Sequence, residues 1–569
     1  MADPRRNNEQ VRIVFLGGLG EIGRNCFCIE VGGRILVVDC GIMFPDVDMP
    51  GVDLVLPDFT YLRTNADRVE GVVLTHAHED HAGGLAYLLR DVDCPIYGSP
   101  LSLGLARNRI EEAGMLGHTE LIPVFDGERR MIGPFDVEFI PVTHSVPHAF
   151  AAAYHTPQGT ILHTGDFKID LTPVDGRRTD LARLGEIAQR PSQREDGRFP
   201  GVRLLLSDST NAERPGFTES ESTVGSAMRT LFRDREDKRF IVASFASHLH
   251  RVQQVAEAAL SSGRRLSFVG RSMANNVTLA REMGLLKVPS DRVIDIEEAP
   301  RYAPGEVCII CTGSQGEPMS ALSLMAAHEH KYVKISEDDV VVISAHAIPG
   351  NETSVTRVIN SLYHAGAEVV HGGNAPVHVS GHASQEELKF VLNLLRPEWF
   401  IPVHGEYRHM VHHADLAELS GVDPDKIYVC EDGDAVTLED DGLVTDRRSV
   451  PAGYLYVDGI VGDIGQGVLR DRRQLAEEGV VVVILTVDKL TGEIVTGPEI
   501  VTKGWVYAPE AEALLEEAKN EVRDALASAA SDGATDFEAI RRIARRSLGR
   551  FINERTRRRP AVIPVVMEV

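Results

Sequence analysis

Cysteine is scarce in this 569-residue chain: seven residues, an odd number at spacings that form no disulfide scaffold, which points to a reducing compartment. No apolar run reaches the roughly 18 residues that a membrane span needs. The polar start MADPRRNNEQ has no apolar signal region. The expectation is a soluble, cytoplasmic protein with no membrane partner. Basic residues are outnumbered, 59 Lys and Arg against 84 Asp and Glu, and the formal charge of −25 excludes broad electrostatic attraction as the main route to a polyanion. A polyanion held in a narrow channel is still allowed, because there the local potential and any bound metal decide. Internal repeats and low-complexity tracts are also lacking. What is present is 43% hydrophobic residues over a length sufficient for several cores.

The chemistry concentrates in VVLTHAHEDHAGG, where His76, His78, Asp80 and His81 follow the apolar run Val69 to Thr75. That run reads as a buried strand, and Leu85 to Leu89 after Gly83-Gly84 reads as a helix, so the cluster sits in the turn at a sheet edge. His76 and His78 can face one ion while Asp80 and His81 turn toward a second. Glu79 falls on the other side, toward solvent or behind the ligands. Surface histidines in a solvated loop are the bland alternative. Against it stand further ligand types, each following an apolar run: His144 in FIPVTHSVPH, Asp166 in ILHTGDFKID and His404 in FIPVHGEYRH. Imidazole and carboxylate donors suit zinc or manganese, and paired ions about 3.5 to 4 Å apart clamp a phosphodiester or acyl centre.

Gly18-Leu19-Gly20-Glu21-Ile22-Gly23 is a literal GxGxxG after a strand, with Asp39 further on. A dinucleotide site needs a helix next, whereas Asn25 to Val31 alternates as a strand, so these glycines are assigned to a hairpin and Asp39 to a loop anchor near the metals. Cys308 and Cys311 lie three apart on a strand, point to opposite faces, and are read as core.

HxHxDH, a following His, a TGD Asp and a distant His resemble the metallo-β-lactamase fold. The sequence between Asp166 and His404 is similar to the β-CASP insertion of nucleic-acid-processing members. The closest resemblance is to the bacterial ribonuclease J family, from GGLGEIGRN through GRSM, CTGSQGEP and PVHGEYRH to RRPAVIPVVMEV. It implies two divalent ions per subunit, zinc with manganese or magnesium as alternatives. The implied ligands are His76, His78 and His144 for one ion, Asp80, His81 and His404 for the other, and a bridging Asp166. His382, Asp80 and Asp208 form the implied catalytic set, with Asp208 (in LLLSDSTNA) fixing His404 or His81. A phosphate cradle of His378, Val379, Ser380, Gly381 and His382 is implied, with Ser247 and His248 on its insertion side. The implied activity is metal-dependent RNA hydrolysis, 5′-to-3′ from 5′-monophosphate ends and also internal, in mRNA decay and rRNA maturation. A DNA nuclease of the same superfamily and a thioester or lactam hydrolase are the alternatives. Implied partners are single-stranded RNA, further copies as a homodimer or homotetramer, and other RNA-decay enzymes.

The expected fold is an αββα sandwich over residues 1–217 and 373–453, carrying an inserted α/β domain over 218–372, a parallel sheet flanked by helices. A linker over 454–471 leads to a small C-terminal α/β domain, 472–569, for oligomerisation and RNA binding. That domain carries the strand VVVVIL, a helix from Glu510 to about Ala530, and a second helix with Arg541, Arg542, Arg545, Arg546 and Arg550 on one side.

Overall fold

In the computed structural model the described residues are 10–46, 48–190, 201–348, 350–440, 442–459, 461–506, 511–531 and 536–569. Two sheets face each other in the first compact unit. One has eight strands, with Val11–Gly17 between Ala435–Glu439 and Cys26–Val31, continuing through Arg34–Val38 and Val69–Val73. The other has six: Trp399–Val403, Val202–Asp208, Gly159–His163, Phe150–Thr156, Phe135–Pro141 and Arg129–Ile132. Period-two alternation sorts their side chains. Leu204 and Leu206 join Phe15, Phe27, Val38 and Phe139 between the sheets, whereas Leu205 faces the outer helices with Phe400, Leu388 and Leu184. The glycine-rich turn runs into an antiparallel partner, since Cys28 pairs with Val14, and no nucleotide-type helix follows.

Three parallel strands deliver the downstream candidates together. Val202–Asp208 pairs in parallel with both Gly159–His163 and Trp399–Val403, so Asp166, Asp208 and His404 emerge at one sheet edge. Between Asp208 and His404 the chain builds a further sheet, five parallel strands in the order Arg265–Val269, Val307–Cys311, Arg239–Ala243, Asp339–Ile343, Glu368–His371. Its strands are near-continuous apolar runs because both faces are covered. Cys308 packs in the cluster on one face and Cys311 in that on the other.

The second compact unit comprises 45–54 and 455–569. Its sheet has Val480–Val487 between Ile494–Lys503 and Ala561–Glu568, covered on one face by helices Glu512–Ser531 and Phe537–Thr556. The stretch read as a linker instead carries strand residues to Asp458, a strand Val461–Asp463 and the start of helix Gly465–Glu478. The strands are too short to show a clear period. Glu510, the expected start of the first helix, lies outside the described residues, as does most of the polar N-terminus. On the arginine helix, Arg541 pairs with Glu538 (2.9 Å) and Arg550 with Glu521 (2.8 Å). No helix among the described residues is long and apolar enough to cross a membrane.

Candidate metal centre

Strand Val69–Val73 ends just before His76 and His78, and Asp80 and His81 lie on the single helical turn Glu79–Ala82. The neighbouring strand end clamps this turn: the Cys40 amide donates to the His81 carbonyl (2.7 Å), Ile42 to Glu79 (2.9 Å) and Asn25 to Asp80 (2.9 Å). A Cβ on Gly41 would stand 1.6 Å from the Asp80 carbonyl oxygen, so only glycine allows this approach. Glu79 pairs with Arg109, away from the cluster.

The histidines are oriented by what holds their outer nitrogens. Asp39, in the left-handed region at φ 56°, places Oδ2 2.8 Å from His81 Nδ1. A carboxylate only accepts, so the neutral ring carries its proton on Nδ1 and aims a lone pair from Nε2. Asp39 also accepts from the Thr75 hydroxyl (2.7 Å) and amide (2.8 Å). With its proton so used, Thr75 can only accept from His76 Nδ1, 3.1 Å away. His144 Nδ1 donates to the Gly381 carbonyl (2.9 Å), an approach that a Cβ on Gly381, 2.8 Å from His144 Cε1, would block. His404, itself at φ 53°, donates from Nδ1 to the Thr210 hydroxyl (2.7 Å), whose proton goes to Asp208 Oδ1 (2.7 Å). In their neutral form the rings of His76, His81, His144 and His404 would all turn Nε2 lone pairs inward.

These lone pairs converge. His78 Nδ1 lies 3.1 Å from both His76 Nε2 and His144 Nε2, and it can donate to no more than one of them. Burial holds the pKa of His76 and His144 well below the ordinary imidazole range, so neither relieves the contact by taking a proton. A single oxygen, Asp166 Oδ2, stands 3.5 Å from His76 Nε2, 3.7 Å from His144 Nε2, 3.3 Å from His81 Nε2 and 3.5 Å from His404 Nε2. Asp80 Oδ2 completes the second group, 3.3 Å from His404 Nε2 and 3.7 Å from His81 Nε2. At His404 burial opposes charge, but Asp166 and a hydrogen bond to Asp80 outweigh it and lift the pKa to about 9. Such a site draws positive charge. Donor atoms of His76, His78, His144 and Asp166, and of Asp80, His81, Asp166 and His404, each lie within 4.8 Å of one another. Both sets fit a divalent cation.

Asp208 reaches His404 only through Thr210, and its direct partner is one the sequence did not suggest. Its Oδ2 lies 2.8 Å from His382 Nδ1, while His81 belongs to Asp39 and His404 stands 3.8 Å from Asp208 Oδ1 with the Thr210 hydroxyl bonded to both. Residues 174 apart meet here, which spacing cannot reveal. Burial works against a charged His382, but Asp208 prevails and its pKa is raised. The side chain is 20% exposed, so the ring is open to the cleft.

In the cradle, Ser380 Oγ accepts from Asn211 Nδ2 (2.8 Å) and from the His382 amide (3.2 Å), leaving its proton free to donate. Val379 is buried, and His378 is half-buried with its Nδ1 3.2 Å from Arg251 Nη1. Ser247 is half-buried, one residue before the helix N-cap. His248 does not face the cleft as expected: it is 1% exposed, with Nε2 3.3 Å from Arg251 Nη2. Arg251, fully buried, is gripped by Glu221 at 2.7 and 2.8 Å. Breaking such a pair by removing one member costs about 3–5 kcal/mol. Sequence reasoning missed both residues. The available signal was an arginine in register with Val255 and Ala258, at a core position of its helix.

The metallo-β-lactamase superfamily profile matches residues 19–195, the ribonuclease J β-CASP domain 237–362, the Zn-dependent metallo-hydrolase RNA specificity domain 369–429 and the ribonuclease J C-terminal domain 467–569. Ribonuclease J2 of Bacillus subtilis is 39% identical over 99% of this chain and 100% of its own length. The chain belongs to the ribonuclease J family. Ribonuclease J 1 of Streptococcus pyogenes is 41% identical over 98% of both chains, and ribonuclease J of Mycolicibacterium smegmatis 41% over 98% of this chain and 97% of its own. A crystal structure of a protein of unknown function from Enterococcus faecalis V583 shares the fold, at a TM-score of 0.52 and 14% identity, covering 75% of this chain and 100% of that one. As a ribonuclease J family member the chain is a metal-dependent nuclease. The converging donors are split across family segments, His76 through Asp166 in the first and His382 and His404 in the RNA specificity domain.

Proposed function

We propose that this chain hydrolyses RNA phosphodiester bonds, proceeding 5′ to 3′ from 5′-monophosphate ends and also cutting internally, in mRNA decay and rRNA maturation. The carrying observation is the single Asp166 oxygen shared between two donor groups, with the Asp208-held His382 beside them. In this reading His76, His78 and His144 hold one divalent ion, Asp80, His81 and His404 the other, and Asp166 both. Zinc suits the nitrogen-rich sets, with manganese or magnesium as alternatives. When bound, the ions supply a nucleophile from water near neutral pH and neutralise charge on the phosphate oxygens.

The chain's own groups do the rest. Asp208 fixes the His382 proton on Nδ1 and favours the imidazolium, so Nε2 can donate a proton to a departing sugar oxygen or a hydrogen bond to phosphorus-bound oxygen. General acid help of this kind contributes roughly a hundredfold to ten-thousandfold. The Ser380 hydroxyl proton and the His378 ring edge, with Val379, Gly381 and Ser247 around them, bind the terminal phosphate. His248 supports them from behind. Self-association as a dimer or tetramer is assigned to the terminal unit, where Val501, Ile563, Val565 and Met567 are exposed on one sheet. Light scattering on a chain truncated after Gly453 should then show smaller particles.

The decisive experiment gives the metal-loaded protein end-labelled RNA and DNA bearing 5′-monophosphate, 5′-triphosphate or 5′-hydroxyl. Mononucleotide release fastest from 5′-monophosphorylated RNA is the expected result. Equal cleavage of DNA, or no cleavage of either, would reject it.

A further inference from the structure

The phosphate cradle reads its ligand with a histidine that has no obvious reason to be a donor. His378 is half-buried, with its ring packed at 4.5 Å and 81° against His346. A neutral imidazole has one proton and two places for it, and a phosphate oxygen needs that proton on the nitrogen facing the cleft.

Arg251 settles the choice. Its Nη1 donates to the Ser344 carbonyl (2.9 Å) and hydroxyl (2.7 Å) and to the Val377 carbonyl (3.1 Å), and it lies 3.2 Å from His378 Nδ1. Guanidinium has donors only and its two Nη1 protons are shared among these acceptors, so an Nδ1–H would face another N–H, and the geometry favours a ring with its proton on Nε2. Burial first, and then the Arg251 charge, hold the His378 pKa well below the ordinary imidazole range, so the ring stays neutral. Glu221 keeps the arginine in place: its two oxygens take Nε and Nη2 at 2.7 and 2.8 Å, and Gln254 Nε2 donates to it at 2.9 Å. Arg251 cannot touch RNA, being fully buried, and Glu221 offsets its charge. It therefore supplies geometry. The same guanidinium ties the cradle segment at Val377 to the end of an insertion-sheet strand at Ser344, whose hydroxyl also donates to Val377 (2.6 Å).

We infer that the buried Arg251–Glu221 pair is a positioning device for 5′-end recognition, locking His378 as an Nε2–H donor and fixing the cradle segment against the insertion domain. This rests on the cradle reading above. Lysine cannot replace the arginine, because one ammonium cannot span Glu221, Ser344, Val377 and His378 together.

The test compares kcat/KM for 5′-monophosphorylated and 5′-hydroxyl RNA of one sequence in wild type, His378→Ala, Arg251→Lys and Glu221→Gln, using the full-length, metal-loaded protein. The expected result is a wild-type preference that falls about tenfold or more in all variants, mainly through KM for the phosphorylated RNA, the size of losing one charge-assisted hydrogen bond. A purely structural pair would lower thermal stability and leave the preference of the folded fraction intact. A wild type with no preference would remove the cradle reading and this inference with it. A preference lost in His378→Ala but kept in Arg251→Lys and Glu221→Gln would overturn the positioning role alone. Should those variants fail to fold, histidine-labelled wild type decides by long-range 1H–15N spectra, with His378→Ala for assignment: an Nε2–H tautomer is expected, and Nδ1–H would overturn the inference.

Discussion

The two walls of the cleft use one residue type for opposite ends. On the sandwich wall His81, His144 and His404 donate outward from Nδ1, to a carboxylate, a carbonyl and a hydroxyl, and turn lone pairs inward. Where the cradle packs against the insertion domain, His378 has a guanidinium at Nδ1, which favours a ring proton on Nε2. The partner behind the ring decides whether a histidine offers a lone pair or a proton at its other nitrogen. His382 stands between these cases, held by a carboxylate like a ligand yet open to the cleft.

The largest effect should come from removing what both metal groups share. Asp166→Ala is expected to abolish activity and lower metal content per chain together, because the same oxygen faces His76, His144, His81 and His404. An inactive variant that still holds two metals by elemental analysis would show that Asp166 is no bridge.

Next comes the histidine between the walls. His382→Ala should retain metal and lose roughly a hundredfold or more in single-turnover rate, the range for a lost proton donor or transition-state hydrogen bond. His404→Ala should lose one metal and activity together. A His382→Ala enzyme cleaving at the wild-type rate would end its catalytic role.

A smaller effect should follow from loosening a ligand from behind. Asp39→Ala frees the outer nitrogen of His81 and leaves Thr75 without its acceptor. Metal affinity should fall about ten- to a hundredfold, the usual loss when a ligand's outer hydrogen bond is removed. Competition with a chelator measures it, and unchanged affinity would mean that the sheet edge alone orients His81.

Much of this was legible in the sequence. Strand periodicity, the glycine hairpin and the ligand types at strand ends are local patterns, and they led to the two facing sheets and the inserted parallel sheet. Asp39 was legible as an anchor because it closes a strand, but not as the partner of His81. What stayed hidden joins distant residues: Asp208 to His382, and Glu221 to Arg251 to His378. A charged residue in an amphipathic helix ordinarily faces solvent, so Arg251 gave little warning, and its burial follows from a counter-charge 30 residues away. The terminal unit's early strands went unread because they are too short to show a period.

The smallest effect separates the cradle's two donors. Both acceptor directions of Ser380 Oγ are taken by Asn211 and the His382 amide, so its one proton is left for the cleft. Ser380→Ala removes that proton but leaves the His378 tautomer and the Arg251 network untouched. KM for 5′-monophosphorylated RNA should rise several-fold, consistent with about 1 kcal/mol for one hydrogen bond, with turnover at saturation little changed. Steady-state kinetics on both 5′ ends check this. If KM for 5′-hydroxyl RNA rises equally, the hydroxyl shapes the loop before His382 and does not bind phosphate, and the anion-binding role of this wall passes to His378 alone.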